Sequence, residues 1–186
     1  DAAFPFMAVG DGSVRGCPVR VLRISFSGEQ AYEIMTPAGY AETVWTAVLE
    51  AGEEYAITPY GLEALGLLRI EKGHVAGSVL NGQTTAADLG LGRMVKKRGD
   101  FVGRALSQRP GLTDPDRPVL VGIRPATRHD RLRAGAHLVT PGSTESLGWI
   151  TSVTRAVELE GWIGLAMLRG GAARQGSRMQ AAFPML

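Results

Sequence analysis

The sequence predicts an α+β protein: an antiparallel sheet covered on one face by helices, followed by a small all-β domain. Three observations predict it. Residues 19–73 read in order as strand, strand, helix, strand and helix, the pattern in which helices segregate to one face of an antiparallel sheet. From Pro118 the chain changes to short apolar runs at 118–123, 136–139, 147–155 and 161–168, separated by Gly-, Pro- and Asp-containing turns, which is the spacing of a small barrel or sandwich. Between the two, Gln108-Arg109-Pro110-Gly111 and Asp114-Pro115-Asp116 break regular structure and place the boundary within residues 100–116.

In residues 19–27, Val19, Val21, Leu22, Ile24 and Phe26 are interleaved with Arg20, Arg23 and serines, which predicts a half-buried strand. Ser27-Gly28-Glu29 supplies turn chemistry, and a second strand over residues 31–35 ends at Thr36-Pro37, so the two form a hairpin-like pair. Across residues 38–51, Ala41, Val44, Trp45, Val48 and Leu49 fall on one helical face, with Gly52 placed to end the helix. A short strand is expected at residues 55–57. Thr58 then offers an N-cap and Pro59 a first helical residue, opening a helix through Glu71 that stops at Gly73. Leu62, Leu65, Leu67, Leu68 and Ile70 make that helix apolar almost all round, which predicts burial. Residues 74–103 are loop-rich, punctuated by Asn81-Gly82, Gly90, Gly92 and Gly99.

Composition limits the function classes. Of 186 residues, 45% are hydrophobic and 20% charged, enough for a sizeable core without metal or disulfide support. The single cysteine, Cys17, has no internal partner, and no Cys/His pair has metal-ligand spacing, which favours a reducing compartment, with the cytoplasm as the default, and no metal. Residues 1–7 lack the features of a signal peptide, and no apolar run is long enough for a membrane helix. Net charge is +2, divided between −3 over residues 1–100 and +5 over residues 101–186. The arginines do not follow one helix face and aromatics are sparse, which argues against nucleic acid. Gly90-Leu91-Gly92-Arg93-Met94-Val95 lacks the third glycine and the preceding strand of a dinucleotide loop, so no nicotinamide or flavin site is expected in this segment.

Two strings carry more information than composition. Phe26-Ser27-Gly28-Glu29-Gln30-Ala31-Tyr32-Glu33-Ile34 is followed, in order, by Gly61-Leu62-Glu63-Ala64-Leu65-Gly66-Leu67-Leu68-Arg69-Ile70-Glu71-Lys72-Gly73. Further on come Phe101-Val102-Gly103, Val119-Leu120-Val121-Gly122-Ile123, Gly148-Trp149-Ile150-Thr151-Ser152 and Ile163-Gly164-Leu165-Ala166-Met167. Their order and separation resemble the glycine-cleavage T-protein (aminomethyltransferase) family over nearly the whole chain. Within the family, Arg23 to Glu29, Lys96-Lys97 before Asp100-Phe101, and Gly170-Gly171 most resemble the branch formed by the alpha subunits of heterotetrameric sarcosine oxidases.

The resemblance implies that residues 1–102 are the C-terminal portion of the folate-binding domain, a ferredoxin-like antiparallel sheet with helices, and residues 103–186 a small C-terminal β-barrel. It implies a module shorter than the family's full one, lacking the upstream aspartate that T-proteins use in catalysis, with apolar surface left uncovered. It implies tetrahydrofolate as the cofactor, accepting the one-carbon unit from oxidative demethylation of sarcosine. Flavin and NAD then belong to other parts of the parent oxidoreductase, and the partners are the other sarcosine oxidase subunits. An aminomethyltransferase or dimethylglycine-type demethylase fragment, and a folate-fold module serving only assembly, are the alternatives.

By the same resemblance Glu33 grips the pterin ring: one carboxylate accepts the two adjacent N–H donors of a 2-amino-4-oxopterin, fixing position and tilt. Read from alternation alone, Glu33 is an exposed strand residue. Phe26 stands where the family often has a folate-contacting tyrosine, so its ring packs on the ligand without the hydroxyl contact; without the family it is a core residue. Leu65 replaces an arginine of the aminomethyltransferases, and His74 follows Lys72-Gly73 where the folate-dependent iron–sulfur maintenance branch has cysteine, which disfavours both. No residue is expected to be an acid–base catalyst. His74 is read as a capping or packing residue and Cys17 as an inert thiol. Lys96-Lys97-Arg98 reads as a solvated turn, with a folate glutamate tail as the alternative ligand, and Trp149 and Trp162 read as core or interface anchors.

Overall fold

The computed structural model describes residues 3–95 and 99–182; Lys96-Lys97-Arg98 lies outside them. The chain divides by its contacts into two compact units, Asp1–His74 and Val75–Leu186.

The first unit contains a three-stranded antiparallel sheet in the order β1-β2-β3, with β1 at Val9–Val14, β2 at Cys17–Leu22 and β3 at Glu33–Met35. Arg15 and Gly16 both take positive φ (49° and 76°), the backbone of a two-residue type I′ hairpin turn whose twist matches the strands it joins. The expected pair over residues 19–35 is present in part as β2 and β3, in the register Arg20 to Met35, Val21 to Ile34 and Leu22 to Glu33; β2 ends at Leu22, short of the expected residue 27, and a loop over residues 23–32 replaces the tight turn. β1 has no counterpart in the pattern of apolar residues, because its sequence VGDGSV alternates poorly.

Helix α1 spans Ala41–Gly52, entered by a 3₁₀ turn at Ala38–Tyr40. Its α-helical part ends at Gly52, as expected. The chain tightens into a 3₁₀ turn at Glu53–Tyr55, and Ala56 takes the left-handed conformation (φ 53°) in place of the expected strand at residues 55–57. Ile57 N–H reaches Gly52 C=O at 3.1 Å and its side chain folds back so closely that a Cβ at position 52 would lie 2.6 Å away. Gly52 therefore closes α1 and also leaves room for this return.

Helix α2 spans Leu62–Lys72 with Gly61 at its N-cap, three residues later than Thr58-Pro59 suggests. The Thr58 hydroxyl donates to the Ala56 carbonyl (3.3 Å), so it closes the preceding turn and caps nothing. The C-terminus follows expectation: Gly73 is left-handed (φ 77°), Gly73 N–H bonds Ile70 C=O and His74 N–H bonds Arg69 C=O at 2.8 Å, a Schellman stop. The predicted burial of α2 is not found in this unit. Only Ile70 is buried, Leu65 to Arg69 are half-buried, and Leu62 is 85% exposed.

The second unit holds a five-stranded antiparallel sheet, ordered β4-β7-β6-β5-β8, with β4 Val119–Ile123, β5 His137–Val139, β6 Ser146–Ala156, β7 Gly161–Leu168 and β8 Gln180–Ala182. The four expected runs are β4 to β7; β8 was not legible. Among the described residues β4 and β8 do not pair, so the sheet is not closed into a barrel. Its core consists of Leu132, Ala136, Leu138, Ile150, Ala166 and Leu168. Residues 100–116 contain two one-turn helices, α3 at Arg104–Ser107 and α4 at Pro110–Thr113, where breaks alone were expected; Pro110 opens α4 because its missing N–H is not needed there. No described helix is long and apolar enough to cross a membrane.

Candidate functional site

Glu33 is the first residue of β3, an edge strand, and lies opposite Leu22. Successive side chains of a strand point to opposite faces, so the buried Cys17 and Val19, packed with Val44 of α1 and joined by Val21, define the face that α1 covers. Leu22 points the other way. Paired residues share a face, which places Glu33 with Val9, Leu22, Arg20 and Met35 on the uncovered side. Val9 and Met35 are more than half exposed there. Asp11 and Arg20 neutralise each other on this face at 2.7 Å, while Glu33 has no hydrogen bond or ion pair among the described residues. The arrangement is a carboxylate with free acceptor oxygens bordered by aliphatic side chains, able to take paired N–H donors on a flat ring.

The turn leading to Glu33 is fixed onto the end of α2. Gly28 N–H bonds the Ser25 hydroxyl oxygen (2.8 Å), and Gly28 itself has φ 96°. The aliphatic stem of Lys72 crosses Gly28 so closely that a Cβ there would meet it at 2.5 Å. Phe26 is half-buried, and its ring meets His74 edge-on at 4.8 Å. Thus the two strings singled out in the sequence pack against each other directly. His74 is the packing residue expected of it, and it holds the half-buried Phe26 ring in place. Tyr32 stacks on Phe4 at 6.3 Å and its hydroxyl accepts from Gln30 (3.0 Å), which orders the last residues before β3.

Cys17 is buried in the small core beside Val19 and Val44. Among the described residues no cluster of His, Cys, Asp and Glu could hold a metal ion. Sequence reasoning passed over one buried charge, Asp88 in the second unit, 4% exposed. Arg117 grips it through Nε (3.1 Å) and Nη2 (2.6 Å) and also donates to the Gln83 and Gly111 carbonyls; Thr85 donates its N–H to the same carboxylate. Leu120 N–H bonds the Asp88 carbonyl at 2.7 Å, so this ion pair ties residues 83–88 to the start of β4. The Thr85-x-x-Asp88 spacing, in which side chain and backbone cap each other reciprocally, was the available signal.

Residues 1–99 match the GCVT N-terminal domain, and residues 119–184 match the glycine cleavage T-protein C-terminal barrel domain. The chain belongs to the glycine-cleavage T-protein family. Among its relatives, the sarcosine oxidase subunit alpha of Rhizobium meliloti (strain 1021) is 46% identical over 96% of this chain and 19% of its own length. An aminomethyltransferase of Streptomyces avermitilis is 39% identical over 76% of this chain and 38% of its own length. The crystal structure of glycine cleavage system aminomethyltransferase T from Bartonella henselae superposes with a TM-score of 0.71 at 26% identity, over 82% of this chain and 42% of that one. The chain thus spans about one fifth of the sarcosine oxidase subunit and less than half of the aminomethyltransferases.

Proposed function

We propose that this chain is the folate-binding segment of a sarcosine oxidase alpha subunit, holding tetrahydrofolate where it accepts the one-carbon unit from oxidative demethylation of sarcosine. The observation that carries the reading is Glu33, an unpartnered carboxylate on the uncovered face of the sheet beside Val9, Leu22 and Met35. These residues fit a pterin: the carboxylate accepts its two adjacent N–H groups and the aliphatic side chains lie along its ring. Bound tetrahydrofolate supplies the ring nitrogens that take up a one-carbon unit. This chain's residues bind and orient it. Phe26, clamped by His74, presents a ring edge near the turn that precedes Glu33. Fixed orientation makes capture of the released one-carbon unit effectively intramolecular, which limits its escape.

In this reading residues 1–102 are the C-terminal portion of the folate-binding domain, residues 103–186 correspond to the family's C-terminal barrel domain with an open sheet, and no residue among them is an acid–base catalyst. The flavin and NAD chemistry lies elsewhere in a cytoplasmic, multi-subunit parent enzyme. The similarity to aminomethyltransferases supports a second reading, a fragment of such a transferase; against it, the motif resemblance sets Leu65, half-buried on α2, where that branch carries an arginine.

The test is calorimetric titration of the full-length parent assembly with tetrahydrofolate. Glu33→Gln should weaken binding about tenfold or more, equivalent to about 1.4 kcal/mol. Equal affinity in both proteins would remove Glu33 from the site.

A further inference from the structure

The arginines of the second unit are not equivalent. Arg117 and Arg169 lie against carboxylates, 2.6 Å from Asp88 and 2.5 Å from Glu145. Arg128 is paired with Glu160. Arg131, Arg133 and Arg155 have no ion-pair partner among the described residues, and each lines a concavity that has Trp162 in its wall. Trp162 is half-buried, stands on β7 and packs on the core around Ile150 and Ala166, so it is a fixed plate. Arg155 of β6 lies opposite it in register and therefore on the same face. The Arg131 guanidinium covers the ring at 5.0 Å. Two open concavities share Trp162 as a wall. One is bordered by Arg128, His129, Arg155 and Glu160, the other by Arg131 and Arg133.

The acids nearby do not cancel this charge. Glu160 is taken by Arg128, and Asp130 and Glu158 are exposed and make no ion pair among the described residues. Three permanently charged, planar forks thus flank one aromatic plate, the geometry that matches carboxylate or phosphate oxygens two at a time. We propose that the Trp162 end of the C-terminal sheet is an anion-binding site, taking a compact ligand that bears at least two carboxylate or phosphate groups, one toward Arg155 and one toward Arg131 and Arg133. The site uses no residue of the Glu33 face.

Calorimetric titrations of the full-length protein with citrate and, separately, with pyrophosphate, at constant ionic strength, test it. Saturable binding of one or both is expected, and the tighter of the two identifies the carboxylate or the phosphate source. The Arg131→Gln/Arg155→Gln double variant should raise the Kd at least tenfold. Arg155→Lys, which keeps the charge and loses the fork, should raise it less, and Glu33→Gln should not change it. Both arginines are exposed, so an unchanged denaturation midpoint is expected in the variants. Heats of dilution alone with both anions, or equal binding by the double variant, would overturn the proposal.

Discussion

The two units handle similar material differently. In the C-terminal unit each long strand has a neighbour on both sides and a covered face, so Ile150 is 1% exposed and Ala166 fully buried. In the N-terminal unit the buried core is Cys17, Val19 and Val44, while Trp45, Tyr55, Tyr60 and Leu62 remain 56–85% exposed. The sequence is no less apolar there. The difference is whether a strand or helix meets a second surface within its own unit.

That contrast predicts a steep asymmetry in mutational cost. Ile150→Ala empties a closed core and should destabilise the C-terminal unit by about 4 kcal/mol, whereas Ile34→Ala, at a residue 41% exposed on an edge strand, should cost about 1 kcal/mol or less. Chemical denaturation of the two variants measures the gap, and equal costs would break the comparison.

The next effect is electrostatic. Asp88→Ala leaves Arg117 without its carboxylate partner and should cost about 3 kcal/mol, the lower range for breaking a buried pair because Arg117 retains some contact with water. Burial alone pushes the Asp88 carboxyl up, but the bonds from Arg117 and from the Thr85 N–H and hydroxyl outweigh it and hold the carboxyl below its usual value. The folded value lies below the unfolded one of about 3.9, so this stabilisation is fully present above that pH and is lost as the pH falls through the folded value. Stability measured from pH 6 down to pH 2 should fall in the wild type, and part of that acid limb should be missing in Asp88→Asn.

The smallest effect sharpens the comparison inside the N-terminal unit. Gly28→Ala must place a side chain at φ 96° and push the Lys72 stem aside, which should cost about 1–2 kcal/mol. Gly16→Ala, in the β1–β2 hairpin turn with open space around it, carries only the backbone part of that cost. Thermal denaturation should rank Gly28→Ala as the more damaging.

The C-terminal strands were legible because their apolar runs coincide with covered faces. The misread elements share another cause, a local signal used for a different purpose. Thr58 has the chemistry of a cap but spends its hydroxyl on Ala56, and the run at residues 55–57 has the apolar character of a strand but forms the left-handed return at Ala56. β1 carries two glycines and an aspartate and is a strand because β2 pairs with it along its whole length, information that lies in the partner. For the candidate site, the motif located Glu33 and alternation marked it as exposed. Its face could not be read, since that depends on the register with Leu22. Asp88 was missed because its partner is 29 residues away.

The contact of Lys72 with Gly28 and of His74 with Phe26 makes a latch between segments more than forty residues apart in the chain. If the last turn of α2 frays, His74 and the Lys72 stem leave together and the bend before Glu33 loses its backing. The acidic side chain therefore inherits its steadiness from a helix end it does not touch. Slow opening of the His74 amide and wandering of the Glu33 carboxylate should run on one clock.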